Sequence, residues 1–304
     1  MALDYARVFD GLGLDYTVIG RGGESAAKFE SQSRARVLRG GLEGRSSEPL
    51  PDAAIVAVGV ESLAAVTTMA IERGIRRILV EKPAGVDEQE ITQLAALAAR
   101  RGAAVYVAYN RRFYAAVRTA RRMIADDGGV SSFSFEFTEV ADQIAKLPQA
   151  ARVKQHWVLA NSSHVLDLAF HLGGAPEEIH ALHDGALPWH SSAAVFAGAG
   201  RTHAGATFAY HANWASAGRW GLEINTSRRR LTFRPMEELQ VMMKGTFSLA
   251  SVALEEGELD KRFKPGLYAQ VDAFLSGRGS EHLCSIEEHL ARVPTYAQIA
   301  GYSR

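Results

Sequence analysis

At 304 residues, the chain is long enough for one large or two ordinary domains, each with its own core, and two is the expected number. Its 34 basic and 34 acidic side chains cancel to a formal charge of zero, and 47% of its residues are hydrophobic; this is the profile of a soluble globular protein and argues against a nucleic-acid partner. A single cysteine, Cys284, rules out an intramolecular disulfide, fits a reducing compartment and reads as a small buried hydrophobe.

No stretch reaches the roughly 18 uncharged apolar residues of a membrane span, because Glu61 interrupts "AAIVAVGVESLAAV". The N-terminus lacks the basic segment, apolar run and cleavage site of a secretory signal. The expected location is therefore cytoplasmic, with no membrane partner. The Gly/Ser-rich patch from Arg39 to Ser47 reads as a surface loop.

In chain order, "ALDYARVF" predicts a helix closed by Gly11 or Gly13, and "DYTVIG" a strand. "DAAIVAV", "RRILVEK" and "AAVYVAY" follow as short apolar runs separated by segments of helix length. That alternation is the mark of a parallel sheet built from βαβ units. The helix before the last of these strands begins at an N-cap, Asp87, with Glu90 three residues on, and carries Ile91, Leu94 and Leu97/Ala98 at helical spacing.

Beyond about Arg112 the periodicity changes. "SFSFEFTEV" puts Phe133, Phe135 and Phe137 on one face, as in a half-exposed strand. "GLEINTSRRRLTFRP" predicts a hairpin with Leu222 and Ile224 facing Leu231 and Phe233 across a polar turn that includes Arg228 to Arg230. "RTHAGATFAYHANW" and "ELQVMMKG" add strands; "SHVLDLAFHLGG" and "PGLYAQVDAFLSG" add helices. The expected fold is a Rossmann-type parallel α/β domain over residues 1–112, N-terminally incomplete, and an α+β domain with a large mixed or antiparallel sheet over 113–304. The free face of such a sheet suits a homo-oligomer, a dimer or tetramer.

The chemistry concentrates at strand ends. "RRILVEKP" ends a buried strand in Glu81-Lys82-Pro83, and in a doubly wound sheet the carboxyl ends of strands form the ligand crevice. From the tripeptide alone, a lysine placed for chemistry and one that simply reaches solvent stay equally open. The next strand delivers Tyr109, Asn110, Arg111 and Arg112 in "YNRRF". "VEKP" followed by "YNRRF", with the βαβ unit before them and "FKPGLYAQVDAFLSG" as a late helix of the second domain, resembles the Gfo/Idh/MocA family of NAD(P)-dependent sugar and polyol oxidoreductases.

The resemblance implies a hydride transfer between NAD(P) and a hydroxyl or ketone carbon of a sugar, polyol or sugar nucleotide. It assigns Lys82 and His164 as catalytic residues: His164 as acid/base for the hydroxyl, Lys82 as its electrostatic and hydrogen-bonding partner. The family's aspartate four residues before the histidine is absent; Ala160 stands there, with Asn161 beside it. Asp167 reads as structural and His171 as packed. Cofactor contacts fall to Gly20, Arg21, Val58, Gly59, Val60, Glu81 and Lys82, and substrate contacts to Asn110, Arg111, His156, Trp157 and Asn161. Since the strand "DYTVIGRG" ends in Gly20-Arg21 rather than a carboxylate, NADP is expected over NAD.

Six histidines lie between His156 and His190, but the pairs His180/His183 and His164/His171 lack the spacing of a zinc site and no cysteine supports them; no metal is expected. A dinucleotide fold opens with a strand and a glycine loop. Neither precedes "ALDYARVF", so the expectation is an upstream start that supplies them, the alternative being a divergent member that no longer turns over cofactor. A non-catalytic cofactor- or sugar-binding sensor of the same fold is the competing functional reading.

Overall fold

The first helix, α1 (Ala2–Leu12), stops at Gly13, whose φ of 66° lies in the left-handed region that glycine adopts without strain. Gly11 stays inside the helix, where a Cβ would collide with the Phe263 ring. The computed structural model describes residues 1–45 and 51–302, so residues 46 and 47 of the Gly/Ser-rich patch lie outside the described residues. After α1 come β1 (Val18–Gly20), α2 (Gly23–Glu30) and β2 (Val37–Arg39), with β1 and β2 paired in parallel. The sequence carries no signal for β2, because two apolar residues among arginines in "RARVLRGG" show no periodicity.

β3 (Ala54–Val56), α3 (Leu63–Glu72), β4 (Arg77–Glu81), α4 (Glu88–Arg101) and β5 (Ala104–Ala108) follow, the three strands pairing in parallel. Four of the five β4 residues are buried, as in a strand covered on both faces. Asp87 accepts from the Glu90 N–H at 3.0 Å and the Glu90 carboxylate accepts from the Val86 N–H at 2.8 Å. The cap foreseen for α4 is thus present.

At Arg111 the chain enters a second unit containing α5 (Ala115–Asp126), β6 (Ser132–Phe137), the short helices α6 (Ala141–Ala145) and α7 (Ala151–Gln155), a π-helical turn at Val158–Ser162, and α8 (Ser163–Gly173). The strands β7 (Pro176–Asp184), β8 (Val195–Thr202), β9 (Thr207–Asn213), β10 (Trp220–Asn225), β11 (Arg229–Phe233), β12 (Gln240–Met243) and β13 (Leu249–Ser251) join β6 in one sheet of order β13-β12-β11-β10-β6-β9-β8-β7. Only β6 and β9 pair in parallel, so the sheet is mixed. Phe133, Phe135 and Phe137 all point inward. Phe170 of α8 sets its ring edge-on against Phe133 and Phe135. Gly173 permits this approach, since a Cβ there would lie 2.3 Å from Phe133.

The hairpin pairs Leu222 with Phe233 and Ile224 with Leu231, the facing sets read from the sequence. Its turn is less solvated than "SRRR" implies: Arg229 folds inward to the Asp127 carboxylate at 2.7 Å, while Arg228 and Arg230 stay exposed.

The chain then returns to the first unit. α9 (Gly257–Arg262) leads to α10 (Leu267–Ser276) and β14 (Cys284–Ser285), and Leu259–Leu290 clusters with Met1–Asn110. The expected division at 112 therefore shifts to Asn110, and α10 leaves the second domain for the first. Polar contacts hold it there: the Arg77 guanidinium donates to the carbonyls of Phe274 and Leu275, and Gln270, oriented as an acceptor, takes the N–H groups of Tyr109 and Asn110 at 3.2 Å. β14 pairs antiparallel with β5, which gives a four-stranded sheet of order β14-β5-β4-β3 and buries Cys284 completely. α11 (Ile286–Ala300) ends the helical part of the chain.

The deepest charges of the second unit centre on Asp167, fully buried on α8. Arg112 forks onto it at 2.7 and 2.6 Å, and Arg292 adds a contact at 2.9 Å. Burial alone would raise the pKa of this carboxyl, but the two guanidinium groups outweigh it and hold the value below the ordinary 3.8. Its contribution to stability is therefore present above that ordinary value and lost as pH falls through the lowered one. Asp167→Asn leaves two cations without their counter-charge, and urea unfolding at neutral pH should show a loss of about 3 kcal/mol or more. An unchanged unfolding midpoint would contradict the role given to this cluster.

Candidate functional site

In the first unit the candidate residues lie at the carboxyl ends of the parallel strands. Glu81, the last residue of β4, is buried and accepts a hydrogen bond from the Tyr5 hydroxyl of α1 at 2.7 Å. Burial raises the Glu81 pKa above 4.5, opposed by the Tyr5 hydrogen bond and by the charge of neighbouring Lys82. Lys82 follows at the strand end, half-buried, and its peptide bond to Pro83 is cis.

The turn beyond Lys82 is fixed from several sides. Ala84, at φ 70° and fully buried, donates its N–H to the Glu81 carbonyl. A ring nitrogen of His289, Nε2, lies 3.0 Å from the Pro83 carbonyl, and the other, Nδ1, lies 3.4 Å from the Tyr109 hydroxyl. Since a carbonyl only accepts, Nε2 carries a proton and donates it to Pro83. The sequence gives no signal for His289, which is 206 residues from Pro83 in the chain. Asn110, expected to contact substrate, donates its side-chain amide to the Pro265 carbonyl at 2.9 Å within this unit.

Gly20 ends β1 and Arg21 follows, with its guanidinium 2.8 Å from Glu43 and both side chains largely exposed. Val58, Gly59 and Val60 form the turn after β3; Val58 is 43% exposed and the Gly59 carbonyl accepts from the Ser62 N–H. At the carboxyl ends of its strands the described residues of this unit offer an exposed cation after β1 and the turns at Val58–Val60 and Lys82. They do not supply the diphosphate cradle, since among the described residues no glycine turn joins a strand to α1.

In the second unit His164 is buried near the start of α8, just after the π-helical turn. Its ring lies 6.3 Å from that of Trp220, and the Arg111 guanidinium sits 4.8 Å above the same indole. Among the described residues the buried Arg111 Nε has no hydrogen-bond partner. Trp220 was not among the expected site residues; a tryptophan opening a sheet strand reads as ordinary packing. Asn161 donates to Glu139 at 2.9 Å and Ser162 donates to the same oxygen at 2.7 Å. A buried carboxylate thus stands beside the turn that carries Ala160, supplied by the segment after β6 rather than from the helix itself.

Two other expected contacts face elsewhere. The His156 ring packs on Tyr302 and its Nδ1 meets the Arg152 carbonyl, while buried Trp157 sets its edge to Trp189. His171 has its pKa lowered well below 6.5, first by burial and then by Arg112; it is neutral. Among the described residues no group of three His, Cys, Asp or Glu side chains could hold a metal ion, and no helix is long and apolar enough to cross a membrane.

A parallel nucleotide-type sheet with a lysine at a strand end and, in the same chain, a unit built on a large mixed sheet are a Rossmann-type domain and an α+β unit. Residues 16–109 match the family described as "Oxidoreductase family, NAD-binding Rossmann fold", the Gfo/Idh/MocA family, to which "VEKP" and "YNRRF" pointed. No curated protein matches the chain by sequence.

Solved structures share the fold. The UDP-N-acetylglucosamine 3-dehydrogenase GnnA from Acidithiobacillus ferrooxidans aligns over 98% of this chain and 92% of its own, at 18% identity and a TM-score of 0.75. A levoglucosan dehydrogenase solved with NADH and levoglucosan aligns over 98% and 93%, at 17% identity and 0.77. An oxidoreductase from Agrobacterium radiobacter, solved with NAD+, L-tartaric acid and magnesium, aligns over 100% and 94%, at 15% identity and 0.79.

The raised pKa of Glu81 makes a signed prediction. A carboxyl whose native pKa exceeds its unfolded value weakens the fold as pH rises from 4.5 through the native value. Glu81→Gln should abolish that decline in urea midpoints measured across the acid range, whereas Tyr5→Phe should cost about 1–3 kcal/mol at neutral pH by stripping a partner from a buried carboxylate. Identical pH profiles for wild type and Glu81→Gln would refute the assignment.

Proposed function

We propose that the protein is an NAD(P)-dependent oxidoreductase that moves a hydride between nicotinamide and a carbon bearing a hydroxyl or ketone on a sugar, polyol or sugar nucleotide. The observation that carries the reading is Lys82, held at the carboxyl end of β4 by a turn tied to Glu81 and His289, within the span that matches the NAD-binding family. The named activities of the GnnA and levoglucosan enzymes support the substrate class.

When bound, the nicotinamide supplies or takes the hydride. Lys82 holds negative charge on the substrate oxygen, and His164 takes or returns the hydroxyl proton. Arg111, over Trp220, and Asn161, beside Glu139, are the better placed of the substrate candidates. The absence of a carboxylate at Gly20-Arg21 favours NADP. The exposed face of the eight-stranded sheet is the proposed surface of a homo-oligomer.

A second reading, a non-catalytic sugar- or cofactor-binding protein, is favoured by Ala160. The two diverge in a panel of sugars, polyols and keto-sugars followed by reduced-nicotinamide absorbance. Lys82→Met should slow turnover by about 10²–10⁴-fold with cofactor affinity nearly intact. An unchanged single-turnover rate would remove Lys82 from the chemistry, and tighter binding of NAD than of NADP would overturn the cofactor preference.

A further inference from the structure

Arg111 stands apart among the half-buried arginines of the second unit. Arg118 meets the Glu256 carboxylate, Arg229 that of Asp127 and Arg292 that of Asp167. Arg111 meets no carboxylate among the described residues, and its buried Nε finds no acceptor there. Its guanidinium lies over two rings instead, 4.8 Å from the centre of the Trp220 indole and 5.9 Å from that of Tyr114. Tyr114 also fixes the base of the side chain, since its N–H donates to the Arg111 carbonyl at 3.2 Å. Glu237 accepts from the Tyr114 hydroxyl at 3.4 Å rather than from the guanidinium.

A guanidinium is a permanent cation with five N–H donors. Rings attract its charge but take none of those donors in a conventional hydrogen bond, and a buried N–H without an acceptor costs the fold free energy. Packing alone would be served at lower cost by an uncharged side chain of similar length. Trp220 is also the neighbour of His164, whose ring centre lies 6.3 Å from that of the indole, and all four side chains belong to the second unit. The imidazole and the guanidinium are therefore no farther apart than their two contacts with Trp220 laid end to end. A sugar acid of about four to six carbons covers that reach with a hydrogen bond at each end.

We infer that Arg111 binds a carboxylate at one end of the substrate, which makes that substrate a sugar acid, an aldonate or a uronate, with its reacting hydroxyl at His164. The planar fork of a guanidinium pairs with both oxygens of a carboxylate. A phosphate monoester carries roughly −1.5 to −2 charge on three acceptor oxygens, and a single guanidinium balances only part of that. A neutral sugar leaves the cation without a counter-charge, so the same residue that holds the acid discriminates against its neutral analogue. The role of His164 rests on the oxidoreductase reading; the capture of an acid by Arg111 does not.

Calorimetry on the full chain, with and without NADP, compares D-gluconate, D-galactonate, D-glucuronate and D-galacturonate with D-glucose, D-galactose and the 6-phosphates of these two sugars. At least one acid should bind about 10- to 100-fold tighter than its neutral counterpart. Arg111→Met should erase that preference, and Arg111→Lys should keep only part of it, because an ammonium retains the charge without the fork. Urea unfolding establishes that each variant is folded. Should neither fold, the indole fluorescence change that the acid produces in the wild type, and its loss in Trp220→Phe, carry the test without altering Arg111.

Equal affinity of the wild type for acids and neutral sugars overturns the inference. So does an acid preference that survives Arg111→Met, a fluorescence change that survives Trp220→Phe, or tighter binding of the 6-phosphates than of every acid. Reduced-nicotinamide absorbance is followed separately, so that the two readings fail in different ways. An acid that binds through Arg111 but is never turned over keeps the carboxylate site and sinks the oxidoreductase reading. Turnover of neutral sugars with no gain for the acids does the reverse.

Discussion

A parallel strand has no stable existence without neighbours, because its backbone donors and acceptors must pair and its side chains need cover on both faces. The position of every candidate residue in the first unit descends from that constraint. Lys82 occupies a defined place because β4 lies between β3 and β5, with β14 closing the far edge. β1 and β3 are each three residues long and only partly covered. Tyr5 and Glu81 tie the unit together, since their hydrogen bond anchors α1 to the buried end of β4.

The second unit handles polarity by segregation. Arg112, Asp167 and Arg292 form a closed ionic cluster in which the carboxylate is fully occupied, so its charges serve the fold. One helical turn away along α8, His164 sits near Trp220 and Arg111, whose Nε has no hydrogen-bond partner among the described residues. An occupied cluster is a poor place for a ligand, whereas an aromatic face with a half-committed cation can recognise a sugar or an anion. Glu139 bears on the Ala160 departure, since a carboxylate missing from a helix can be replaced in space by one from a strand end. Asn161 and Ser162 both donate to it, so the turn before His164 keeps an acidic neighbour that its own sequence lacks.

Local signals were legible in the sequence and long-range ones were not. The cap at Asp87, the inward row Phe133, Phe135 and Phe137, and the hairpin register at Leu222 and Ile224 depend on residues close in the chain or on a period of two. β2 gives no signal because it holds two apolar residues among arginines, and the amphipathic pattern of α10 does not say which sheet the helix covers. Lys82 and His164 are legible through family motifs; His289, Trp220 and Glu139 are not, because each gains its place only from contacts across tens to hundreds of residues. Conversely, Asn110 looked like a substrate ligand from its motif, yet its amide is bonded to the Pro265 carbonyl.

The proposed preference for NADP turns on a pair rather than on one arginine. Arg21 and Glu43 are both exposed, and such a surface pair contributes about 0–1 kcal/mol. A ribose phosphate, carrying roughly −1.5 to −2 charge, can take the guanidinium from Glu43 at little cost. Glu43 then remains close to that phosphate, and its repulsion offsets part of the gain. With NAD the opposite holds, because the ion pair stays intact and its carboxylate can accept from a ribose hydroxyl. On the proposed reading Glu43 weighs on the cofactor balance as much as Arg21 does, and only the arginine, lying directly after a recognisable strand, is legible in the sequence.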